Sequence, residues 1–337
     1  MSQAAPLVDR FGRVARDLRV SLTDRCNLRC SYCMPAEGLE WLPTSETLSD
    51  SEVIRLILIA VEKLGIRSVR FTGGEPLLRK GLTSIASAVH EKAPEVDMAI
   101  TTNALGLEKK AGQLFAAGVT RANISLDSLD PQTYAQIARR DRLADALAGA
   151  RGAQVAGMHP IKINTVVMRG VNDDEPATLL RYCLENGFHL RFIEQMPLGP
   201  KHNWKRQELV SQAEIIASLE EAFELSPSSS ERGTSPAQLW QVQERGGDLK
   251  GDVGIIASVS EPFCGACDRT RLTSDGQIRN CLFSLEETDL RTPLREGASD
   301  EEIADIWRQA TWEKKAGHLI NDAQFLSPDR TMSRIGG

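Results

Sequence analysis

An α/β fold is what this sequence predicts: a partial (βα)6 TIM-type barrel with a small C-terminal extension, β-rich and then helical, covering the barrel opening. Three observations carry that reading. Six short β-type runs alternate with helical patterns between residues 17 and 196. The helical stretches carry recognisable start and stop residues. In five of the six runs polar and apolar residues alternate, so that each strand presents one polar face.

The β-type runs are 17–23, 68–72, 97–103, 121–127, 161–168 and 189–196. Between the first two, "SDSEVIRLILIAVEKLG" offers Ser49 or Asp50 as a helix cap and Gly65 as its end, and Gly118 closes "LEKKAGQLFAAG" in the same way. Strands and helices at this spacing mean parallel βα units. Six units are too few for a closed eight-stranded barrel, which puts an open or partial barrel first and a doubly wound sheet second. After the helical pattern of "ELVSQAEIIASLEEAFEL", the stretch "SPSSSERGTSP" at 226–236 reads as an exposed loop or linker. The character then changes. "QLWQVQ", "DVGIIASVS" and "RLTSDGQIRNCLF", with its Asp275-Gly276 hairpin signal, suggest a small β-rich unit before two terminal helices. The expected division is 1–225 for the barrel and 226–337 for the C-terminal region.

The polar strand faces are informative in themselves. Arg19, Ser21 and Thr23 share one, as do Arg70 and Thr72, Thr101 and Asn103, Asn123, Ser125 and Asp127, and Lys162 and Asn164. A barrel interior filled only for packing would carry Val, Ile and Leu there, so these faces point to a solvated cavity for a charged ligand. A solvent-exposed sheet face is the alternative reading. The sixth run, "HLRFIEQM", does not resolve into two faces.

Hydrophobic residues at 41%, charged residues at 26% and aromatics at 5% describe an ordinary globular chain. No apolar run reaches the roughly 18 residues of a membrane span. A net charge of -6 disfavours a general nucleic-acid binder, although it leaves room for a local basic pocket. Residues 1–16 show no secretory pattern, so the expected setting is the thiol-reducing cytoplasm, where seven cysteines argue against disulfides.

Three of those cysteines, Cys26, Cys30 and Cys33, form C-x3-C-x2-C in "TDRCNLRCSYCMP". Thiolate is a soft ligand for iron-sulfur clusters or zinc, and the short spacing lets one loop wrap a metal centre. No fourth cysteine or histidine lies nearby. A structural zinc site completes a tetrahedron, whereas a four-iron cluster on three cysteines keeps one iron open for a ligand. A second trio follows in "PFCGACDRTRL…NCLF": Cys264, Cys267 and Cys281. On spacing alone, zinc with a non-cysteine fourth ligand stands level with iron there. Cys183 reads as an inert buried thiol in a helix, and the five histidines show no ligand spacing.

"CNLRCSYC", with an aromatic before the third cysteine, resembles the signature of the radical S-adenosylmethionine superfamily, and "TGGEP" at 72–76 resembles its second motif. The resemblance implies a [4Fe-4S] cluster on Cys26, Cys30 and Cys33, with S-adenosylmethionine on the open iron. Gly73 and Gly74 are then expected to let backbone approach that ligand closely. Taken in order, "DLRVSLTDRCNLRCSYCMP", "RFTGGEPLLR", "TTN", "ISLD", "KINTVVMRGVND", "RFIEQMPLG", "FCGACDRTRLTSDGQIRNCLF" and the closing "RIGG" resemble the GTP 3',8-cyclase family of molybdenum cofactor biosynthesis along nearly the whole chain.

That family resemblance implies a second [4Fe-4S] cluster on Cys264, Cys267 and Cys281, which binds the guanine of GTP. It implies S-adenosylmethionine contacts at Tyr32, Gly73, Gly74, Glu75, Ser125 and Met196. GTP contacts are implied at Arg19, Arg70, Thr101, Lys162, Arg269, Thr270 and Arg271. Arg19, Arg269, Arg271, Gly336 and Gly337 are the implied catalytic set, with the diglycine threaded into the active site. Four of the GTP positions already lie on polar strand faces. The chain has no phosphate-cradling glycine loop of the G-x4-G-K-[ST] or G-x-G-x-x-G kind, so side chains must hold a triphosphate.

The activity implied is radical cyclisation of GTP to 3',8-cyclo-7,8-dihydro-GTP, with both ligands bound at the C-terminal ends of the strands. An external electron donor, a downstream cyclic pyranopterin monophosphate synthase and a homodimer are implied partners. Two departures from the family pattern, Ala104 after "TTN" and "ARRD" at 138–141, bear on local loop shape. A radical enzyme acting on a peptide, and a non-catalytic iron-sulfur or zinc protein, are the competing readings.

Overall fold

The computed structural model describes residues 5–200, 204–322 and 325–336. A hairpin of β1 (Leu7–Val8) and β2 (Val14–Ala15) leads into six parallel strands. These are β3 (Asp17–Ser21), β4 (Ser68–Thr72), β5 (Asp97–Thr102), β6 (Val119–Ser125), β7 (Ile161–Val167) and β8 (His189–Glu194). The crossovers carry α1 (Asp50–Leu64), α2 (Leu82–Lys92), α3 (Leu107–Ala116), α4 (Pro131–Ala138), α5 (Leu143–Val155) and α6 (Pro176–Glu185). The six runs read from sequence are these strands.

Local chemistry explains the elements. Ser49 and Glu52 form a reciprocal capping box at the start of α1, and Gly65 ends the helix in the left-handed region. On β3, Leu18 and Val20 are fully buried against the helical layer, while Arg19 points to the other side. Val69 and Phe71 repeat the pattern around Arg70 on β4. Each such buried apolar side chain contributes about 1.5–3 kcal/mol, which fixes the register and so dictates which residues face inward.

The C-terminal region does not build a sheet of its own. After α7 (Gln212–Glu220) come β9 (Phe223–Pro227), β10 (Gln238–Glu244) and β11 (Lys250–Ile256), and β11 pairs parallel with β8. Then β12 (Arg269–Leu272) pairs parallel with β3 at the opposite flank, followed by β13 (Gln277–Arg279) and β14 (Thr288–Asp289). The result is one twelve-stranded sheet, ordered β14-β13-β12-β3-β4-β5-β6-β7-β8-β11-β10-β9, with β14 and β9 as its edges. Helices α8 (Arg291–Arg295), α9 (Asp300–Trp312) and α10 (Met332–Ile335) complete the chain. Trp307 of α9 is fully buried and donates to Thr270 Oγ1 at 3.1 Å, which seats this helix on β12.

Strand direction sets the two ends of the barrel. The first cysteine loop follows the C-terminal end of β3. Cys264 and Cys267 precede β12, whose Arg269 stands opposite Asp17 at the N-terminal end of β3, and the antiparallel β13 brings Cys281 back to that end. The two trios therefore sit at opposite ends of the parallel strands. The second trio thus lies away from the C-terminal ends, where both ligands were expected to bind, because a parallel β12 fixes its preceding loop at the other end.

Candidate functional site

A cavity of about 640 Å³ runs between the two cysteine trios. All six cysteines line it, as do Tyr32, Gly73, Gly74, Glu75, Ser125 and Met196 toward the first trio. Arg19, Arg70, Thr101, Lys162, Arg269 and Arg271 line the middle and the far end. Thr270 is not brought there. It lies between two inward arginines on β12, so its side chain points to the other face, where Trp307 donates to it. Gly337 lies outside the described residues.

The first trio is held by the neighbouring strand ends. Gly74 N donates to Thr23 O at 2.7 Å and Glu75 N to Arg25 O at 2.8 Å, laying the "GGEP" turn directly on the start of the cysteine loop. A Cβ on Gly73 would come within 2.4 Å of Thr23 O, and one on Gly74 within 2.4 Å of Arg25 O. Both glycines thus serve a close approach to the chain's own backbone. Glu75 is buried and receives Leu77 N and Thr102 Oγ1 on Oε1 and Asn103 N on Oε2. Burial pushes its carboxyl up to about 7 against those hydrogen bonds. Asn103 in turn donates to Asn27 Oδ1 at 2.8 Å and lies 3.9 Å from Cys26 Sγ.

Opposite them, Tyr32 donates its hydroxyl to Asp127 Oδ2 at 2.9 Å, and Asp127 Oδ1 accepts from Val166 N. Burial pushes Asp127 up to about 6, Cys26 up to about 11 and Cys33 up to about 12. Burial also raises Cys30, helped by the charge of Asp127. These thiols hold their protons near neutrality, so ligation must release them. The two departures from the family pattern meet the backbone here: Ala104 (φ 64) and Arg139 (φ 53) both adopt the left-handed region that glycine accepts freely. Arg139 nonetheless contributes, donating to Arg29 O and Met34 O beside the cysteines, while Ala138 O and Ile137 O accept from Arg29 N and Ser31 N.

The middle of the cavity is strongly basic. Arg271, Arg19 and Arg70 stand side by side in one row across β12, β3 and β4. Neighbouring strands lie about 4.8 Å apart, and like charges directly opposite repel. Burial drives Arg19 well below its ordinary value, with the charges of Arg271 and Arg70 adding to it. Burial with neighbouring cations takes Arg271 to about 10, Arg191 to about 9 and Lys162 to about 8. Arg19 Nε, Arg70 Nε and Arg191 Nε are buried without a hydrogen-bond partner among the described residues. Asp17, 3.9 Å from Arg70, and Asp268, 3.7 Å from Arg269, are too few to neutralise the set. Cations crowded together, largely withdrawn from water and short of carboxylate partners are costly, and a polyanion with several oxygens relieves them.

Three arginines of the cavity escaped the sequence reading. Arg191 sits in the run that did not resolve, bonded to Asn123 Oδ1. Arg121 continues the alternation of β6, where a signal was present. Arg232 lies in the stretch read as a linker, whose residues Thr234, Ser235 and Pro236 also line the cavity. Arg269 Nη2 donates to Thr234 O at 3.2 Å, and Arg232 and Arg269 both pack on the Phe263 ring, drawing that loop over the site.

At the second trio, burial raises Cys264. Cys267 behaves oppositely: burial works against it, but the charges of Arg269 and Lys314 hold its thiol below the ordinary value. From the N-terminal hairpin, Arg13 reaches in to donate to Cys264 O, Ala316 O and Lys315 O at 2.6–2.9 Å, with Asp9 steadying its Nε. The chain end closes the site. Gly336 O accepts from Arg271 Nη1 at 2.5 Å, and Ser333 donates its backbone N–H to Cys33. Among the described residues no three His, Cys, Asp or Glu side chains converge as ligands of a single ion. Each trio instead offers sulfur donors within one another's field, with N–H groups directed at them (Leu28 N at 3.4 Å from Cys26 Sγ), a donor set that fits thiolate-held iron-sulfur clusters.

Residues 20–183 match the Radical SAM superfamily and residues 188–320 match Molybdenum Cofactor Synthesis C. The GTP 3',8-cyclase of Corynebacterium glutamicum is 60% identical over 336 residues, covering 98% of this chain and 89% of that protein. That of a Mycobacterium species is 56% identical over 337 residues, covering 100% of this chain and 95% of its own. Among solved structures, Streptococcus suis SuiB bound to S-adenosylmethionine superposes with a TM-score of 0.60 at 16% identity, covering 88% of this chain and 66% of that one. The protein anSMEcpe with bound AdoMet gives 0.57 at 16% identity, covering 90% and 82%. At such identities the likeness speaks to the fold.

Proposed function

The chain belongs to the GTP 3',8-cyclase family, radical S-adenosylmethionine enzymes of molybdenum cofactor synthesis, and on that premise we propose how its cavity holds the two reactants. Cys26, Cys30 and Cys33 hold one [4Fe-4S] cluster, and Tyr32, Gly73, Gly74, Ser125 and Met196 place S-adenosylmethionine beside it. Glu75 acts mainly by tying the ends of β4 and β5 together under that site. Cys264, Cys267 and Cys281 hold a second cluster that receives the guanine of GTP. Bound together and given one electron by the external donor, the first cluster and S-adenosylmethionine would supply methionine and a 5'-deoxyadenosyl radical able to take the ribose 3'-hydrogen.

The chain's own side chains do the rest. Arg19, Arg70, Lys162, Arg269 and Arg271 bind the triphosphate and ribose, with Thr101 on the adjacent strand face and Thr270 limited to its backbone. The loop at 232–236 and the tail at Gly336 exclude water, keeping reacting atoms at near-attack distance. The single observation that carries this reading is the row of Arg271, Arg19 and Arg70, with the Nε atoms of Arg19 and Arg70 buried and without a hydrogen-bond partner among the described residues, lying between two cysteine trios at opposite strand ends. The barrel of 1–225 would serve the radical source and 226–337 the nucleotide.

We place an external electron donor before this reaction and a cyclic pyranopterin monophosphate synthase after it, and expect a cytoplasmic homodimer. No helix among the described residues is long and apolar enough to cross a membrane. Anaerobically reconstituted protein, given GTP, S-adenosylmethionine and a reductant, should yield a cyclised nucleotide by mass spectrometry. An intact nucleotide with a modified peptide substrate would favour a peptide-acting radical enzyme instead.

A further inference from the structure

Lys314, just past α9, is buried at 5% exposure beside the second cysteine set. Its ammonium carries three protons and finds three acceptors: Arg269 O at 2.9 Å, Cys267 O at 3.1 Å and Cys267 Sγ at 3.5 Å. None of these is a carboxylate. A buried ammonium held only by carbonyls is poorly compensated, and the sulfur is the acceptor that becomes anionic on binding iron.

The surroundings of the two trios differ in sign. Near the first, the charged groups are the carboxylates Asp127 and Glu75 alongside Arg29, and Asn103 is a neutral donor 3.9 Å from Cys26 Sγ. Near the second stand Arg269 and Lys314. Reduction adds negative charge to a cluster, so nearby cations and N–H donors to sulfur raise its potential and carboxylates lower it.

We propose that Lys314 is a positioning residue whose ammonium, by donating to the Cys267 sulfur, raises the reduction potential of the cluster on Cys264, Cys267 and Cys281 above that of the first. This rests on the reading that the second trio holds a cluster. The device separates two chemically similar centres in one chain: the first stays a strong reductant, while the second accepts an electron readily. Lys314 also bridges the cysteine loop to the start of β12, so its charge and its loop contacts must be told apart.

The test uses the full chain carrying Cys26→Ala, Cys30→Ala and Cys33→Ala, reconstituted without oxygen so that only the second centre forms. Iron and sulfide are measured first, then the midpoint potential by dithionite titration followed by electron paramagnetic resonance. Lys314→Met is expected to keep its iron and shift the midpoint to a more negative value. Lys314→Arg should return it close to the parent, and Lys315→Met, changing the exposed neighbour, should not move it. An unchanged midpoint in an iron-replete Lys314→Met protein overturns the inference while leaving the second cluster standing. If Lys314→Met loses iron, Lys314→Gln is measured in its place, with the same shift expected. Loss of iron from both, with Lys314→Arg intact, overturns the electrostatic role in favour of loop support alone. A parent without iron overturns the cluster reading itself.

Discussion

Arg271 grips the carbonyl of Gly336 at 2.5 Å, tying the end of the chain to the arginine row inside the cavity. Gly336 adopts φ +76, and a Cβ there would meet Thr72 Cγ2 at 3.0 Å and Ser21 Cβ at 3.2 Å. Left-handed backbone costs a non-glycine residue about 1–2 kcal/mol, and the contacts add to it. Gly336→Ala is therefore expected to loosen the tail and slow GTP cyclisation by about tenfold or more, on the free-energy scale of that strain. Ser333 and Ile335 are buried beside it, so a lower melting temperature should accompany the slower turnover.

Gly74 is a stricter case, because the atoms its Cβ would strike belong to backbone. Arg25 O at 2.4 Å and Asp24 O at 2.5 Å cannot swing aside as a side chain would. Gly74→Ala should displace the cysteine loop, costing about 1–3 kcal/mol of stability. Iron analysis of the reconstituted variant is expected to show loss at Cys26, Cys30 and Cys33 with the second set still loaded.

The reverse pattern is expected for Arg13→Met. Arg13 supplies charge-assisted hydrogen bonds to Cys264 O, Ala316 O and Lys315 O, each of the kind worth about 1.5–3 kcal/mol. Without them the second cysteine loop loses its link to the N-terminal hairpin. Iron should fall at Cys264, Cys267 and Cys281 and persist at the first set, which electron paramagnetic resonance can separate.

Lys162 gives the site a pH signature. Burial, then the charges of Arg191, Arg121 and Arg70, push its ammonium down to about 8. The charged form is the one that binds phosphate, and a bound anion raises the value again. GTP affinity should accordingly be greatest below pH 8 and fall as pH rises through that value. Lys162→Met should weaken binding by about tenfold and flatten the slope between about pH 7 and 9, as read by equilibrium binding.

Much of this site was legible in the sequence because its parts are local. Cysteine spacing and strand alternation need no knowledge of the fold, and Arg19, Arg70, Thr101 and Lys162 faced inward as their alternation required. Arg191 was hidden for a physical reason: β8 is covered on both faces, so Leu190, Arg191, Phe192 and Glu194 are all buried and no polar face stands out. Lys314 and Arg13 depend on contacts 47 and 251 residues away, respectively, and carry no local pattern. Sequence also could not show that β12 would join β3 in parallel, which is what sends the second trio to the far end of the strands.

The placement of GTP between the two cysteine trios is tested most directly with GTP carrying deuterium at the ribose 3' position, in one anaerobic incubation with S-adenosylmethionine and reductant. The account expects one deuterium in 5'-deoxyadenosine for each cyclised nucleotide formed. Unlabelled 5'-deoxyadenosine alongside cyclised product would contradict it.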